Sequence, residues 1–285
     1  MYSDPTWGNH KALFTSCGLA CSEYRYLDKS SPSTPKLDFA GMMADLEACD
    51  PGTLVLLQAC AHNPTGVDPT EAQWLEIAEV CKRRNLQVFM DNAYQGFASG
   101  DTDKDAFAIR HFVKENIPVM VACSFAKNMG LYGERVGCLH VVAGTKEETA
   151  SAISQLKVIA RTTYSNPPQF GSLVVTNILS DAALGNMWRT ELEGMAGRIE
   201  EMRKRLKAGL VKATGDSPDK WNHITSQIGM FSYTGLSKEQ VAHCAEEGGL
   251  FMLDTGRVSM AGMNGKNVDR VATVMANAIK ACPSS

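Results

Sequence analysis

The segment Cys123–Gly137 reads CSFAKNMGLYGERVG and connects two apolar runs, Ile117–Cys123 and Val136–Val142. Short, continuous apolar runs bounded by turn residues are typical of buried strands. The glycines between the runs indicate a loop rather than a continuation of either strand. The pattern therefore predicts two core strands joined by a turn that carries Lys127.

The polar residues of this turn are of the kinds that bind a phosphate and react with a carbonyl. A lysine at the end of a core strand is partly desolvated, which lowers the pKa of its amine and makes it available as a nucleophile. Ser124 supplies a hydroxyl and Arg135 a forked cation, and both groups suit a phosphate. A lysine beside such phosphate-binding groups suggests a Schiff base with pyridoxal phosphate. For this segment alone, the alternative is a surface loop whose charges are solvated.

The composition is that of an ordinary globular protein, with 285 residues, 44% hydrophobic and 21% charged, and a net charge of -3. This charge gives no electrostatic case for nucleic acid or an anionic membrane. No apolar run approaches the roughly 18 residues of a membrane helix. The nine cysteines contain no C-x-x-C pair, so neither a metal site nor a disulfide framework is predicted. We expect a reducing compartment, the cytoplasm or the mitochondrial matrix, rather than secretion.

Strands and helices alternate in the first half of the chain, which predicts a mostly parallel, doubly wound α/β sheet. We expect Tyr2–His10 to be a loop and Asp103–Lys114 to be one helix. The other predicted elements here are strands at Tyr24–Leu27, Thr53–Leu57 and Leu86–Met90 and helices at Lys11–Leu19, Leu37–Ala48 and from Asp68 to Asn85.

The second half begins with long helices and ends in a smaller α+β unit. We place the domain boundary inside the third long helix, which gives a large domain of residues 1–190 and a small C-terminal domain of residues 191–285. The predicted elements are helices at about Glu147–Arg161, Phe170–Leu179, Ala182–Lys212, Lys238–Glu247 and Val268–Cys282 and strands near Ile228–Tyr233, Leu250 and Arg257.

Polar side chains follow the predicted strands at the points where they end. Asn63 follows the first strand of the sheet, and Asp91 and Tyr94 follow the next. Ligands of open α/β sheets bind at such ends, so we expect these groups to converge with Lys127. A pyridine cofactor needs a carboxylate at its ring nitrogen, and Asp91 fits that role. Taken singly, each residue has an ordinary reading as a turn, cap or core residue.

Four further residues are candidates only in combination with the others. Trp7 could stack on a flat ring, and His10 could orient Asp91. Arg161 and Arg257 stand next to loops. In isolation, Trp7 would be taken for a packing residue, His10 for a histidine with ordinary hydrogen bonds, and the two arginines for surface cations.

The combination of motifs resembles the aspartate aminotransferase family, the class I branch of fold-type I enzymes that use pyridoxal phosphate (PLP). The resemblance runs in order from Trp7 to the last helix. The motifs that carry it are HNPTG from His62, DNAYQGFASGD from Asp91, SFAKNMGLYGERVG from Ser124, YSNPP from Tyr164 and GRVSMAG from Gly256.

The resemblance implies a role for each candidate residue. Lys127 would form the Schiff base with PLP and move the proton, while Asp91, supported by His10, would pair with the ring nitrogen. Tyr94 and Asn63 would contact the ring oxygen, Ser124 and Arg135 the phosphate, and Trp7 the ring face. Arg257 would bind the substrate α-carboxylate. Arg161 would bind the distal carboxylate from across a homodimer interface, so that the active sites are shared.

The implied reaction is a ping-pong transfer of the amino group between dicarboxylic amino acids and 2-oxo acids. Aspartate and 2-oxoglutarate would give oxaloacetate and glutamate. Two arginines suit two carboxylates, because each forms a bidentate, charge-assisted pair.

The sequence departs from the family pattern in two ways. Members of the family have roughly another third of chain before the loop at Trp7, so we expect this chain to be an N-terminally truncated member. In addition, Gln58 stands where many members have histidine, a change that we expect to be mild.

Three other functions are weighed against a catalytic aspartate aminotransferase. The first is a truncated, non-catalytic remnant of the same family. The second is another PLP enzyme, such as an aromatic aminotransferase or a decarboxylase, which Arg161 disfavours. The third, a nicotinamide dehydrogenase, is rejected because no G-x-G-x-x-G follows a strand.

Overall fold

The computed structural model describes residues 1–28, 30 and 35–283, and its elements alternate through the first half of the chain. The strands are β1 (Tyr2–Asp4), β2 (Glu23–Arg25), β3 (Leu54–Gln58), β4 (Gln87–Asn92), β5 (Val119–Ser124), β6 (Gly137–Val142), β7 (Phe231–Tyr233) and β8 (Arg257–Ser259). The helices are α1 (His10–Ser16), α2 (Phe39–Glu47), α3 (Glu71–Arg83), α4 (Thr102–Asp105), α5 (Phe107–Lys114), α6 (Lys146–Thr163), α7 (Gln169–Ser180), α8 (Ala182–Thr214), α9 (Asn222–Ser226), α10 (Lys238–Glu246) and α11 (Val268–Ala281).

The central sheet has the strand order β3–β4–β5–β6. The first three strands are parallel to one another, and β6 runs antiparallel to β5. The predicted mostly parallel α/β sheet is thus confirmed. The carboxyl ends of β3, β4 and β5 and the beginning of β6 lie at one edge, because parallel neighbours end on the same side. Every strand-end residue singled out in the sequence belongs to this edge.

The N-terminal segment is more regular than its sequence suggests. Tyr2–Asp4 was expected to be part of a loop, but it forms β1, which pairs in parallel with β2. The carbonyl of Met1 accepts the backbone N–H of Leu56, so β1 also lies beside β3. The expectation failed because a three-residue strand next to proline and glycine carries no recognisable alternation. The strand fixes the start of the loop that carries Trp7.

The helices that cover the sheet begin and end where local chemistry favours it. Thr70 and Gln73 form a capping box at the start of α3, and Lys82 and Arg83 lie in its last turn. Trp74 and Ile77 on this helix pack with Val88 of β4 in one buried core. This core makes the sheet a rigid support for the side chains at its edge.

The single helix expected at Asp103–Lys114 is instead two helices, α4 and α5. Ala106 separates them with φ −88° and ψ 6°. The Asp105 carboxylate accepts the backbone N–H groups of Gly96, Ala98 and Ser99. The end of α4 is therefore tied to the loop that follows Tyr94, a contact that the helical pattern of the sequence did not reveal.

The long helix α8 links the two halves of the chain. The Asp181 carboxylate caps its first N–H groups, and Gly215 ends it in the left-handed conformation, with φ +78°. A second buried core combines α8 with α11 and the C-terminal strands, and it also includes Tyr94 and Phe97 from the first half. The division at residues 190/191 stays a prediction, and the last two residues of the second predicted domain lie outside the described range.

Gly96 shows how closely α8 approaches the loop after Tyr94. Its φ of +93° favours glycine, and a Cβ there would lie 2.2 Å from Leu192 Cδ2. A larger residue at this position would push the loop and the long helix apart.

The C-terminal unit contains fewer and shorter strands than expected. β7 begins only at Phe231, because Gly229 adopts φ +81° and the turn there breaks the extended run. The strand expected near Leu250 is absent from this described part of the chain. The 3₁₀ helix Pro218–Trp221 and the short helix α9 were not expected. In the described ranges, no helix combines the length and the apolar character of a membrane span.

Candidate active site

A cavity of about 600 Å³ opens at the edge of the sheet where β3, β4 and β5 end. It collects residues from both halves of the chain, including most of the candidates named from the sequence. Its lining comprises Trp7, Asn63, Asp91, Ala93, Tyr94, Ala122, Cys123, Ser124, Ala126, Lys127, Tyr132, Arg135, Met230, Phe231 and Arg257.

Lys127 lies in the turn after β5, as expected, and its side chain reaches into this cavity. Its Nζ is 4.9 Å from the centre of the Tyr94 ring and 5.7 Å from that of Tyr132. Burial lowers the pKa of the amine; the Asp91 carboxylate opposes this shift and the Arg135 guanidinium adds to it. The net effect is a lowered pKa for the Lys127 amine, the direction predicted from the sequence.

Asp91 stands at the end of β4 and is held by a histidine, as expected. His10 Nε2 is 3.1 Å from Asp91 Oδ2. An ionised carboxylate only accepts, so Nε2 is the protonated nitrogen in this bond. His10 Nδ1 lies 2.8 Å from the Thr6 hydroxyl, which fixes the other side of the ring. The buried His10 ring therefore aims the Asp91 carboxylate at the cavity.

Asn63 connects the two halves of the site. Its Nδ2 donates to the Tyr94 hydroxyl at 3.3 Å, and its Oδ1 accepts from Arg257 Nη1 at 2.6 Å. Burial and the nearby Asp91 carboxylate raise the pKa of Tyr94 to about 12, so the phenol stays protonated at neutral pH. The Arg257 guanidinium also lies 4.2 Å from the centre of the Phe231 ring.

Ser124, Arg135 and Trp7 contribute the remaining predicted groups of the cavity. Ser124 Oγ accepts the backbone N–H of Ala126 at 3.2 Å. Arg135 Nη1 donates to the carbonyl of Tyr132 at 3.0 Å. Trp7 also lines the cavity and is 39% exposed.

Two of the predicted site residues do not line the cavity. His10 lies behind Asp91, as its supporting role requires. Arg161 is exposed in the last turn of α6, where it hydrogen-bonds Ser165 Oγ. A role for Arg161 in the active site of a second chain stays a prediction.

Several cavity residues were not predicted from the sequence, above all Tyr132 and Phe231. Tyr132 belongs to the lysine turn, so its position in that motif was an available signal. Phe231 stacks on Arg257 from a strand 26 residues earlier in the chain, and its sequence neighbourhood gives no sign of this contact.

The arrangement suits a planar cofactor that carries a carbonyl and a phosphate. The Lys127 amine can react with the carbonyl, Asp91 can pair with a protonated ring nitrogen, and Trp7 offers a flat surface. Ser124 and Arg135 can bind the phosphate, while Arg257 remains for a carboxylate. Among the residues the structure describes, no three His, Cys, Asp or Glu side chains are grouped so as to hold a metal ion.

The lowered pKa of Lys127 should be visible as selective reactivity in the protein without cofactor. At pH 8 we expect trinitrobenzenesulfonate to modify Lys127 before Lys238, because burial lowers the pKa of the Lys127 amine. Peptide mapping after brief labelling measures this, with the exposed Lys238 as internal reference. Equal labelling of the two lysines would contradict the desolvated amine.

The fold and the cavity together are those of an α/β aminotransferase, and the sequence comparisons agree. The chain belongs to the aminotransferase class I and II family, whose sequence model matches residues 1–275. It is 48% identical over 275 residues to "Aspartate aminotransferase, cytoplasmic" from Oryza sativa. The aligned region covers 96% of this chain and 66% of the relative. It is also 48% identical over 266 residues to "Aspartate aminotransferase, mitochondrial" from Schizosaccharomyces pombe. That aligned region covers 93% of this chain and 60% of the relative.

Solved structures share the fold closely. A mitochondrial aspartate aminotransferase from Trypanosoma brucei superposes with a TM-score of 0.92 at 43% identity, over 97% of this chain and 72% of that chain. An aromatic-amino-acid aminotransferase from Burkholderia pseudomallei, covalently bound to pyridoxal phosphate, gives the same TM-score and identity over 97% of this chain and 68% of that chain. The expected fold class is confirmed. The chain spans only 66% of the length of the Oryza sativa relative and 60% of the length of the Schizosaccharomyces pombe relative.

Proposed function

We propose that this protein is a PLP-dependent aspartate aminotransferase. The observation that carries the proposal is the cavity that places the Lys127 amine, with its lowered pKa, together with the His10-supported Asp91 carboxylate. The names of the curated relatives support aspartate as the substrate, and they favour this function over a non-catalytic remnant. Their cytoplasmic and mitochondrial names also support one of those two compartments.

The residues present fit PLP. Lys127 would hold it covalently through Nζ, Asp91 would accept a hydrogen bond from its protonated ring nitrogen, and Ser124 and Arg135 would bind its phosphate. Once bound, the cofactor would supply a protonated pyridine ring that withdraws electrons from the substrate α-carbon.

The protein groups would then position the substrate and move its proton. Arg257 would bind the α-carboxylate, with Asn63 holding its Nη1 and Phe231 lying against its guanidinium. The Lys127 amine would act as the acid and base of a 1,3-proton shift in each half-reaction: it would remove the proton at the α-carbon of the donor amino acid in the first and supply a proton to the α-carbon of the product amino acid in the second. The protonated Tyr94 phenol would donate a hydrogen bond within the cavity, since its bond with Asn63 uses only its oxygen as an acceptor.

We further propose dicarboxylic amino acids and 2-oxo acids as substrates and a homodimer as the working unit. Arg161 does not line its own cavity and is exposed in the last turn of α6, a position from which it could serve a partner's site. One arginine for each carboxylate would explain a preference for aspartate and glutamate.

Turnover of defined substrates tests the proposal. The protein, incubated with PLP, aspartate and 2-oxoglutarate, should produce oxaloacetate and glutamate in equal amounts. Aspartate alone should be converted once per site, because the amino group is transferred in two halves, and 2-oxoglutarate alone should not be converted, because it brings no amino group. Failure to convert aspartate under conditions where phenylalanine is converted would contradict the assigned substrate class.

Replacement of Arg161 should change the substrate preference rather than abolish the chemistry. A buried carboxylate that loses its bidentate partner costs roughly 3–5 kcal/mol, so kcat/KM for aspartate should fall about 10²–10⁴-fold in Arg161→Leu. Phenylalanine has no distal carboxylate, and its kcat/KM should change little.

Two controls sharpen this measurement. Arg189→Leu removes an exposed arginine outside the cavity and should leave both substrates unaffected. Arg257→Leu should lower kcat/KM for aspartate and phenylalanine alike, since both have an α-carboxylate. Equal losses for the two substrates in Arg161→Leu would mean that Arg161 is structural.

A further inference from the structure

Gln58 is buried at the end of β3 and pairs in register with Asp91 of β4. Its side-chain amide makes two hydrogen bonds to the backbone of one residue, Asn63. Gln58 Oε1 accepts the Asn63 N–H at 2.8 Å, and Gln58 Nε2 donates to the Asn63 carbonyl at 3.0 Å. The amide therefore fixes both backbone polar groups of Asn63.

The guanidinium of Arg257 determines which way the side-chain amide of Asn63 is turned. Arg257 can only donate, so the Asn63 atom 2.6 Å from its Nη1 must be the carbonyl oxygen. The Nδ2 group is then directed at the Tyr94 hydroxyl, at 3.3 Å. Any rotation of the Asn63 backbone would disturb both contacts, since one planar amide makes them.

Other bonds hold the same loop, but at different points. The Asp68 carboxylate accepts the N–H groups of Ala61 and His62 at 2.6 and 2.8 Å. The Thr65 hydroxyl contacts His62 Nδ1 at 2.8 Å. Other residues therefore also hold this loop. The two bonds from Gln58 are made to the backbone of Asn63.

We infer that Gln58 is a positioning residue that sets the geometry of Arg257 for the substrate carboxylate by clamping Asn63. This inference rests on the proposed function. Gln58 does not line the cavity, and it acts through Asn63, whose side chain links Tyr94 to Arg257. Its loss should weaken the binding of carboxylate ligands more than it weakens the fold.

The probe is maleate, a dicarboxylate without an amino group, titrated calorimetrically into the PLP-loaded protein. In Gln58→Met, which nearly keeps the volume but makes neither bond, the Kd for maleate should rise about tenfold. Gln58→Glu keeps the acceptor for the Asn63 N–H, loses the donor to the Asn63 carbonyl and adds a negative charge, and it should also weaken maleate binding at pH 8. This second variant keeps the test decisive if Gln58→Met does not fold.

Thr65→Val is the matched control. It keeps the shape of a buried side chain in the same loop and removes its hydroxyl contact with His62, without touching Asn63. We expect a lower melting temperature but a Kd for maleate within twofold of the unmodified protein. A purely structural role for Gln58 would give the same result in Gln58→Met.

A second measurement does not depend on the substrate assignment. The side-chain NH₂ signal of Asn63 in a ¹H–¹⁵N spectrum, assigned with Asn63→Asp, should shift in both Gln58 variants and stay in place in Thr65→Val. If that signal and the Kd for maleate are unchanged in the Gln58 variants, the inference is overturned. If the unmodified protein itself does not bind maleate, the proposed function fails instead, and the Asn63 signal alone decides the role of Gln58.

Discussion

Lys127→Ala should reduce transamination between aspartate and 2-oxoglutarate below detection. The variant loses the amine that would both hold the cofactor and move the proton at the substrate α-carbon. General acid–base catalysis alone contributes about 10²–10⁴-fold, and the loss of covalent attachment adds to this. No second lysine lines the cavity, as far as the described residues go.

The measurement combines turnover with chemical labelling. After borohydride reduction of the PLP-loaded protein, peptide mapping should find the pyridoxyl group on Lys127, and the Lys127→Ala variant should carry none. Lys146→Ala, which removes the first residue of α6 outside the cavity, should keep both activity and label. A label on Lys146 would overturn the assignment of the cofactor lysine.

Asp91→Asn should lower kcat by several orders of magnitude while preserving the fold. Asparagine has nearly the size of aspartate, but it lacks the charge that keeps a pyridine ring protonated. A loss of three orders of magnitude corresponds to about 4 kcal/mol of transition-state stabilisation. His10 Nε2 could still donate to the amide oxygen, so the local geometry should change little.

The charge effect can be measured separately from activity. The pH titration of the bound cofactor, followed by absorbance, should show a ring nitrogen that loses its proton at lower pH in Asp91→Asn. Asp103→Asn, a carboxylate in α4 that pairs with Arg110, is the control and should behave like the unmodified protein. A normal kcat in Asp91→Asn would refute the role of the carboxylate as the partner of the ring.

The elements nearest to Lys127 were predictable because their signals are local. The apolar runs correctly predicted β5 and β6, and the helix expected from Asp68 to Asn85 is present as α3, Glu71–Arg83. Conversely, the break at Ala106 was missed because its cause is a carboxylate that binds a neighbouring loop. The helical spacing of apolar residues does not reveal a contact between a side chain and a neighbouring loop.

Sequence by itself determined the α/β class, the family and the residues at the strand ends. These depend on short-range patterns, since an apolar run and the polar residue that ends it are neighbours in the chain. Only the tertiary structure decided how these residues are connected. Arg257 reaches Asn63 across 194 positions, and Gln58 turns its amide onto the backbone of Asn63 rather than toward Asp91. Such contacts follow from how the sheet and the long helix pack, because side-chain orientation in a buried site is set by neighbours that are distant in sequence.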